Sequence, residues 1–129
     1  MNSVSARIRW VSIIVGAVLV EVALFVVVLP LYRLPNGATV VLYAVLPACA
    51  LAAYFGGLLV ARRAGNRFVL HGALVGALAA LIYAALSWKA ALPATYIVSN
   101  YLKIAFGALG GLVAQRAAGK RAPSPHPSD

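Results

Sequence analysis

Apolar residues occupy four long stretches of the chain, which are separated by short segments containing turn-forming and basic residues. The stretches cover about 10–32, 38–61, 69–92 and 96–114. Each has close to the ~20 residues that an α-helix needs to cross ~30 Å of hydrocarbon. None shows the two-residue alternation of a barrel strand, and each is about twice as long as such a strand. The pattern therefore predicts an all-α protein in which four membrane-spanning helices form a bundle.

The composition excludes an ordinary water-soluble domain. Of the 129 residues, 64% are hydrophobic and 10% are charged, against about 45–50% and about 25% in soluble domains. A domain of this size cannot hide so much apolar surface from water. The first stretch is too long for a signal peptide and is expected to remain as a helix. We therefore predict a membrane domain over residues 1–116 and a disordered, proline-rich cytoplasmic tail over 117–129.

The positions of the basic residues predict how the chain is oriented. The net charge is +9, and most basic residues lie at one end of the predicted bundle, whereas only Arg33 and Lys89 lie at the other. The positive-inside rule then places both termini in the cytoplasm. Because the basic residues form no single soluble patch, nucleic acid is not an expected partner. The expected partners are the lipid bilayer and a homo-oligomer or larger membrane complex. The eight residues at the cytoplasmic end are Arg7, Arg9, Arg62, Arg63, Arg67, Arg116, Lys120 and Arg121.

Small residues recur at intervals of four on three of the helices. Residues four apart share a helix face, and small side chains on that face let membrane helices approach closely. We therefore expect a tightly packed bundle, with a glycine-lined pore or substrate groove as the alternative. The predicted packing residues are Ala44, Ala48, Ala52 and Gly56 in the second helix, Gly72, Gly76 and Ala80 in the third, and Gly107 and Gly111 in the fourth.

Glu21 lies near the middle of the first stretch. A charge at the bilayer centre costs at least about 2.5–3.5 kcal/mol, so this carboxyl group is expected to face the protein and to be paired or protonated. Lys103 shares a helix face with Gly107 and lies roughly 4 Å outward of the centre of its stretch. Its flexible side chain can span that offset. Asn100, one turn further outward, completes a candidate intramembrane polar cluster with Glu21 and Lys103.

Three interpretations of this cluster remain open. Glu21 and Lys103 form a structural ion pair that fixes the helix register, or Glu21 is a protonatable group used in coupled transport or ion passage. In the third, Lys103 extends to the outer membrane surface and Glu21 contacts another subunit. Elsewhere, His71 is expected to be solvated or bonded to the backbone, and Tyr32 and Tyr96 to belong to an interfacial aromatic belt.

Catalysis has no support in the sequence. One interior carboxylate, one cysteine and two distant histidines make neither a catalytic arrangement nor a metal or cofactor site. We therefore expect no enzymatic activity and no cofactor. The leading interpretation is a small membrane protein with a structural or accessory role. The alternatives are a proton-coupled transporter of a small molecule or cation that uses Glu21, and a pore-forming protein.

Two segments resemble known families. The segment FGGLLVARRAGNRFVLHGALVGALAALIY (55–83) resembles a pattern in small, uncharacterised four-helix membrane proteins of bacteria, which implies a cytoplasmic-membrane location and no known activity. The segment GAVLVEVAL (16–24) is similar to the first helix of the small multidrug resistance transporters. That resemblance implies that Glu21 exchanges protons for cationic drugs, although those transporters have no basic residue that matches Lys103.

Overall fold

The chain folds into four long α-helices joined by short turns. The computed structural model describes residues 8–91 and 93–120. Within these ranges, α1 spans Trp10–Leu31, α2 Gly37–Ala64, α3 Phe68–Leu86 and α4 Ala94–Gly119. Each helix is long enough and apolar enough to cross a membrane. The structure thus confirms the all-α fold class and the four membrane-length helices.

Several helix ends differ from the predicted ones. α3 ends at Leu86 rather than at residue 92, and α4 continues to Gly119 rather than ending at residue 114. Residues 117–119, predicted to belong to a disordered tail, are therefore helical, while residues 121–129 lie outside the described ranges. Alanine, glutamine and arginine are good helix formers. The end of an apolar stretch consequently does not mark the end of a helix.

A tight turn connects α2 to α3. Gly65 adopts the left-handed conformation with φ 73°, and its backbone N–H donates to the Ala61 carbonyl at 3.3 Å. This is a common way to end a helix, because glycine has no Cβ to strain in that conformation. Only Gly65, Asn66 and Arg67 separate the two helices, so α3 returns antiparallel to α2.

The helices are arranged with α1 and α4 on opposite sides of α2 and α3. Each of the two outer helices contacts both α2 and α3, but no Cα atom of α1 lies within 8 Å of one in α4. α1 and α3 begin, and α2 and α4 finish, at the same end of the bundle, which we call the basic end. The opposite end, where Tyr32 and Tyr96 meet, is the tyrosine end. The described basic residues of the basic end are Arg9, Arg62, Arg63, Arg67, Arg116 and Lys120.

Glycines make the closest helix contacts, and apart from Gly37, which meets the end of α1 at the tyrosine end, these lie between the basic end and the middle of the bundle. A Cβ atom on Gly72 would overlap the carbonyl oxygen of Gly107, and one on Gly111 would overlap that of Phe68. Gly76 likewise faces the Lys103 backbone. The predicted packing glycines of α3 and α4 therefore lie where these two helices touch.

The closest-packed stripe of α2 is displaced by one residue from the predicted one. The predicted residues Ala44, Ala48 and Ala52 are half-buried, but Ala48 and Ala52 still pack against the core that α2 shares with α1 and α3, and Gly56 faces the side chain of Val20 in α1. Ala80 of α3 is also half-buried and borders a groove between α3 and α4. The displacement arises because α2 contacts all three other helices, so one stripe cannot serve every contact. The fully packed stripe consists of Val41, Val45, Cys49, Ala53 and Gly57.

Candidate intramembrane site

An ion pair joins α1 to α4 in the middle of the bundle. Lys103 Nζ donates to Glu21 Oε1 over 2.6 Å. The two residues are 1% and 4% exposed, respectively. Since the backbones of α1 and α4 do not contact each other, the extended lysine side chain spans the gap between them. Lys103 is therefore not directed towards the outer membrane surface, as the third interpretation required.

α3 positions the lysine in two ways. Gly76 lacks a side chain where the Lys103 backbone comes closest, which holds the start of the lysine side chain against α3. Further along, Nζ lies 4.8 Å from the centroid of the Tyr83 ring. An ammonium group over an aromatic face gains an electrostatic attraction that grows as water is removed. Lys103 thus has both a carboxylate partner and an aromatic one.

A small cavity adjoins the ion pair, and we call it the pair cavity. Its volume is about 60 Å³. That is room for about two water molecules at ~30 Å³ each and far less than the ~300–1,000 Å³ typical of ligand sites. All four helices contribute to it, but only from the ion pair towards the tyrosine end. Its lining residues are Glu21, Leu24, Phe25, Val28, Val45, Cys49, Tyr83, Tyr96, Ser99 and Lys103.

Three tyrosines connect the pair cavity to the end of the bundle. The hydroxyl groups of Tyr32 and Tyr96 lie 3.2 Å apart, at hydrogen-bonding distance, and are exposed. The Tyr96 ring stacks on that of Tyr83, with ring centroids 6.0 Å apart. Tyr83 in turn contacts Lys103. The prediction treated Tyr32 and Tyr96 as members of an interfacial belt and did not foresee this connection.

Asn100 does not join the polar cluster, so this part of the prediction is wrong. It borders a groove between α3 and α4, and its Oδ1 has no hydrogen-bond partner among the described residues. Ser99 lies beside the ion pair instead: it is 2% exposed, lines the pair cavity and donates to the Tyr96 carbonyl over 2.8 Å. Ser99 is four residues before Lys103, on the stripe that contains Gly107. That spacing was the signal for it.

His71 connects α1 to α3 near the basic end. It is fully buried, its Nε2 accepts the backbone N–H of Arg9 over 3.2 Å, and its Nδ1 donates to the Arg67 carbonyl over 3.1 Å. This bonding pattern assigns the neutral ring with its proton on Nδ1. The Arg9 guanidinium also donates to the Arg63 carbonyl over 2.6 Å. Of the two environments expected for His71, solvent or a bond to the backbone, the structure shows the bond to the backbone.

Within the described residues, no three histidine, cysteine or acidic side chains come together as a metal site would require. The four helices define a multi-pass α-helical protein of membrane-spanning dimensions, with a buried ion pair at its centre. No protein family profile, curated protein or solved structure matches the chain. Its function is therefore inferred from the ion pair, the cavity beside it and the distribution of charge.

Proposed function

We propose that this chain is a small multi-pass protein of the cytoplasmic membrane with a structural or accessory role and no enzymatic activity. Both termini are then cytoplasmic, with the basic end facing the cytoplasm. The charge asymmetry supports this orientation, because six described basic residues lie at the basic end while Arg33 and Lys89 lie at the tyrosine end. A homo-oligomer or a larger membrane complex remains a prediction.

The Glu21–Lys103 pair is the observation that supports a structural role. Either charge alone would cost at least about 2.5–3.5 kcal/mol near the bilayer centre, whereas the pair is neutral and directly bonded. The two groups are almost fully buried and leave no space between them for a substrate. Removing one partner of a buried pair typically costs about 3–5 kcal/mol, because the other charge stays behind without a partner. The pair therefore holds α1 in one orientation towards α4.

A double-mutant cycle tests this role. Glu21→Gln, Lys103→Met and the double variant are compared with the unchanged protein for folded yield and free energy of unfolding. A structural pair predicts a loss of about 3–5 kcal/mol in each single variant and a much smaller loss in the double variant, since neither charge is stranded. Arg33→Met, which removes an exposed charge, serves as the matched control. Losses that simply add in the double variant would contradict a direct structural coupling.

The second candidate function is proton-coupled transport of a small molecule or cation through Glu21. The pair cavity favours it, because it places a small open space beside the carboxylate on the side of the tyrosine end. The test is uptake into vesicles under a pH gradient. If Glu21→Gln leaves the folded yield intact but abolishes coupled uptake, transport replaces the structural role. The pore-forming alternative lacks such support, because close glycine contacts fill the half of the bundle towards the basic end.

A further inference from the structure

We propose that the pair cavity is a water site that is entered only from the tyrosine end. Water, and the protons it carries, then reach Glu21 and Lys103 from one face of the membrane alone. The inference goes beyond the proposed function, because a structural ion pair needs no water. It rests on the unused bonding capacity of Glu21, on the close packing of one half of the bundle and on the polar groups in the other half.

The carboxylate of Glu21 has bonding capacity to spare. It accepts one hydrogen bond, from Lys103, whereas a carboxylate has about four acceptor positions. Its side chain is 6% exposed, and it forms part of the cavity wall. Ser99 Oγ and the Tyr96 hydroxyl are additional polar groups on residues of that wall. A buried water needs roughly 2–4 polar partners and a volume of about one probe sphere. The pair cavity has the volume, and its largely apolar wall includes the polar side chains of Glu21, Lys103 and Ser99.

Towards the basic end, close helix contacts separate the pair from the surface. A groove of about 450 Å³ lies between α1 and α2 in this half, but neither Glu21 nor Lys103 lines it. Gly72 meets the Gly107 backbone, Gly76 meets the Lys103 backbone, and Gly16 lies against the side chain of Val60. No residue of the cavity wall comes from this half. The core residues between the pair and the basic end are fully buried. They include Ile13, Ala17 and Val75.

The half towards the tyrosine end contains the cavity, whose wall includes the aromatic side chains of Phe25, Tyr83 and Tyr96. Its exposed Tyr32 and Tyr96 hydroxyls mark the entrance, and the stacked rings of Tyr96 and Tyr83 lead from it to Lys103. The titratable groups that border the cavity with the ion pair are Cys49 on α2, Tyr83 on α3 and Tyr96 on α4. Water entering here therefore meets hydroxyl groups first and the ion pair last.

The single cysteine of the chain allows access to the pair cavity to be measured from each face of the membrane. Cys49 lines the pair cavity, and the sequence contains no other cysteine. Ag⁺ is close to water in size and bonds to the thiol sulfur, whose proton leaves to water. The ion is applied to right-side-out and to inside-out vesicles, and the thiols that remain free are then counted with a maleimide after denaturation. We expect loss of the Cys49 thiol when Ag⁺ faces the tyrosine end, and none when it faces the basic end.

Two reference variants make the result decisive. Lys89→Cys in a Cys49→Ala background places a thiol in the loop at the tyrosine end and reports which vesicle face that end occupies. Val28→Phe places a larger side chain in the wall and fills the pair cavity, whereas Val27→Phe adds the same bulk at the neighbouring, lipid-exposed position. Val28→Phe should therefore protect Cys49 from Ag⁺, and Val27→Phe should not.

Hydration of the carboxylate is measured separately. Glu21 is the only glutamate in the chain, so ¹³C-glutamate gives one carboxyl signal in solid-state NMR. Magnetisation transfer from water to that carbon is expected in the unchanged protein and in Val27→Phe, with loss in Val28→Phe. Equal Ag⁺ reaction from both faces, no reaction from either face, or no water transfer to Glu21 would each overturn the proposal. None of these results would alter the outcome expected for the double-mutant cycle.

Discussion

Replacement of Gly72 by alanine should weaken the contact between α3 and α4 through a single added methyl group. A Cβ atom at this position would overlap the carbonyl oxygen of Gly107 and lie 3.0 Å from the backbone nitrogen of Gly111. Backbone atoms cannot turn aside as a side chain can, so the two helices must separate. Overpacking of this kind costs about 1–3 kcal/mol, and alanine regains up to about 1 kcal/mol through its higher helix propensity. We therefore expect a net loss of about 1–2 kcal/mol.

Two other glycines provide graded controls for this prediction. A Cβ atom on Gly56 would overlap a side-chain methyl group of Val20, at 2.5 Å, and would meet Val75 and Gly16 only at ordinary contact distances of 3.6 and 3.8 Å. One on Gly119 would meet nothing within 4 Å. Gly56→Ala should therefore cost less than Gly72→Ala, and Gly119→Ala should be neutral or slightly stabilising. Steric trapping in bicelles measures the free energy of unfolding of all three variants. If Gly72→Ala were as stable as Gly119→Ala, α3 and α4 could not approach as closely as the structure shows.

Two further substitutions test polar contacts outside the ion pair by the same measurement. His71→Phe should lower the free energy of unfolding by about 1–3 kcal/mol, because it leaves the backbone N–H of Arg9 without an acceptor near α1; an unchanged value would argue against the Arg9–His71 bond. Asn100→Leu should be neutral or stabilising, since its Oδ1 has no partner among the described residues and an unpaired polar group in an apolar setting is costly. A clear loss there would reveal a partner for Asn100.

Much of the fold could be predicted because the bilayer imposes a length on each helix. Four apolar stretches gave four helices, and the glycines spaced at four in α3 and α4 lie at the contact between those helices. The same spacing was less informative in α2. Its neighbours lie on several sides, so the predicted stripe at Ala48 and Ala52 is displaced by one residue from the closest-packed one. A one-dimensional pattern shows that a face is small, but not which neighbour that face meets.

Only part of the candidate site could be predicted from the sequence. Glu21 and Lys103 could be identified because charges inside a membrane are few and must find each other. The connection from Tyr32 through Tyr96 to Tyr83 could not, because aromatic residues near helix ends are ordinary in membrane proteins. Asn100 was misplaced because a residue three positions before Lys103 and one four positions before it differ by about 100° around the helix. Ser99, four positions before Lys103, lies on the same helix face as Lys103 and Gly107.

The ion pair also bears on how α1 finds its orientation. α1 is apolar on every side, and its lipid-exposed residues, such as Val18 and Val22, are of the same types as its buried ones. Lipid and protein interiors are similarly apolar, so such residues favour no face of the helix. Gly16 and Glu21 do favour one face. A rotation of α1 by one residue, about 100°, would turn Glu21 away from Lys103 and towards lipid. At about 2.5–3.5 kcal/mol or more for a single exposed charge, that wrong orientation is disfavoured by roughly a hundredfold or more at 1.4 kcal/mol per factor of ten. The proposed structural role of the pair is thus to give an otherwise featureless helix one preferred orientation.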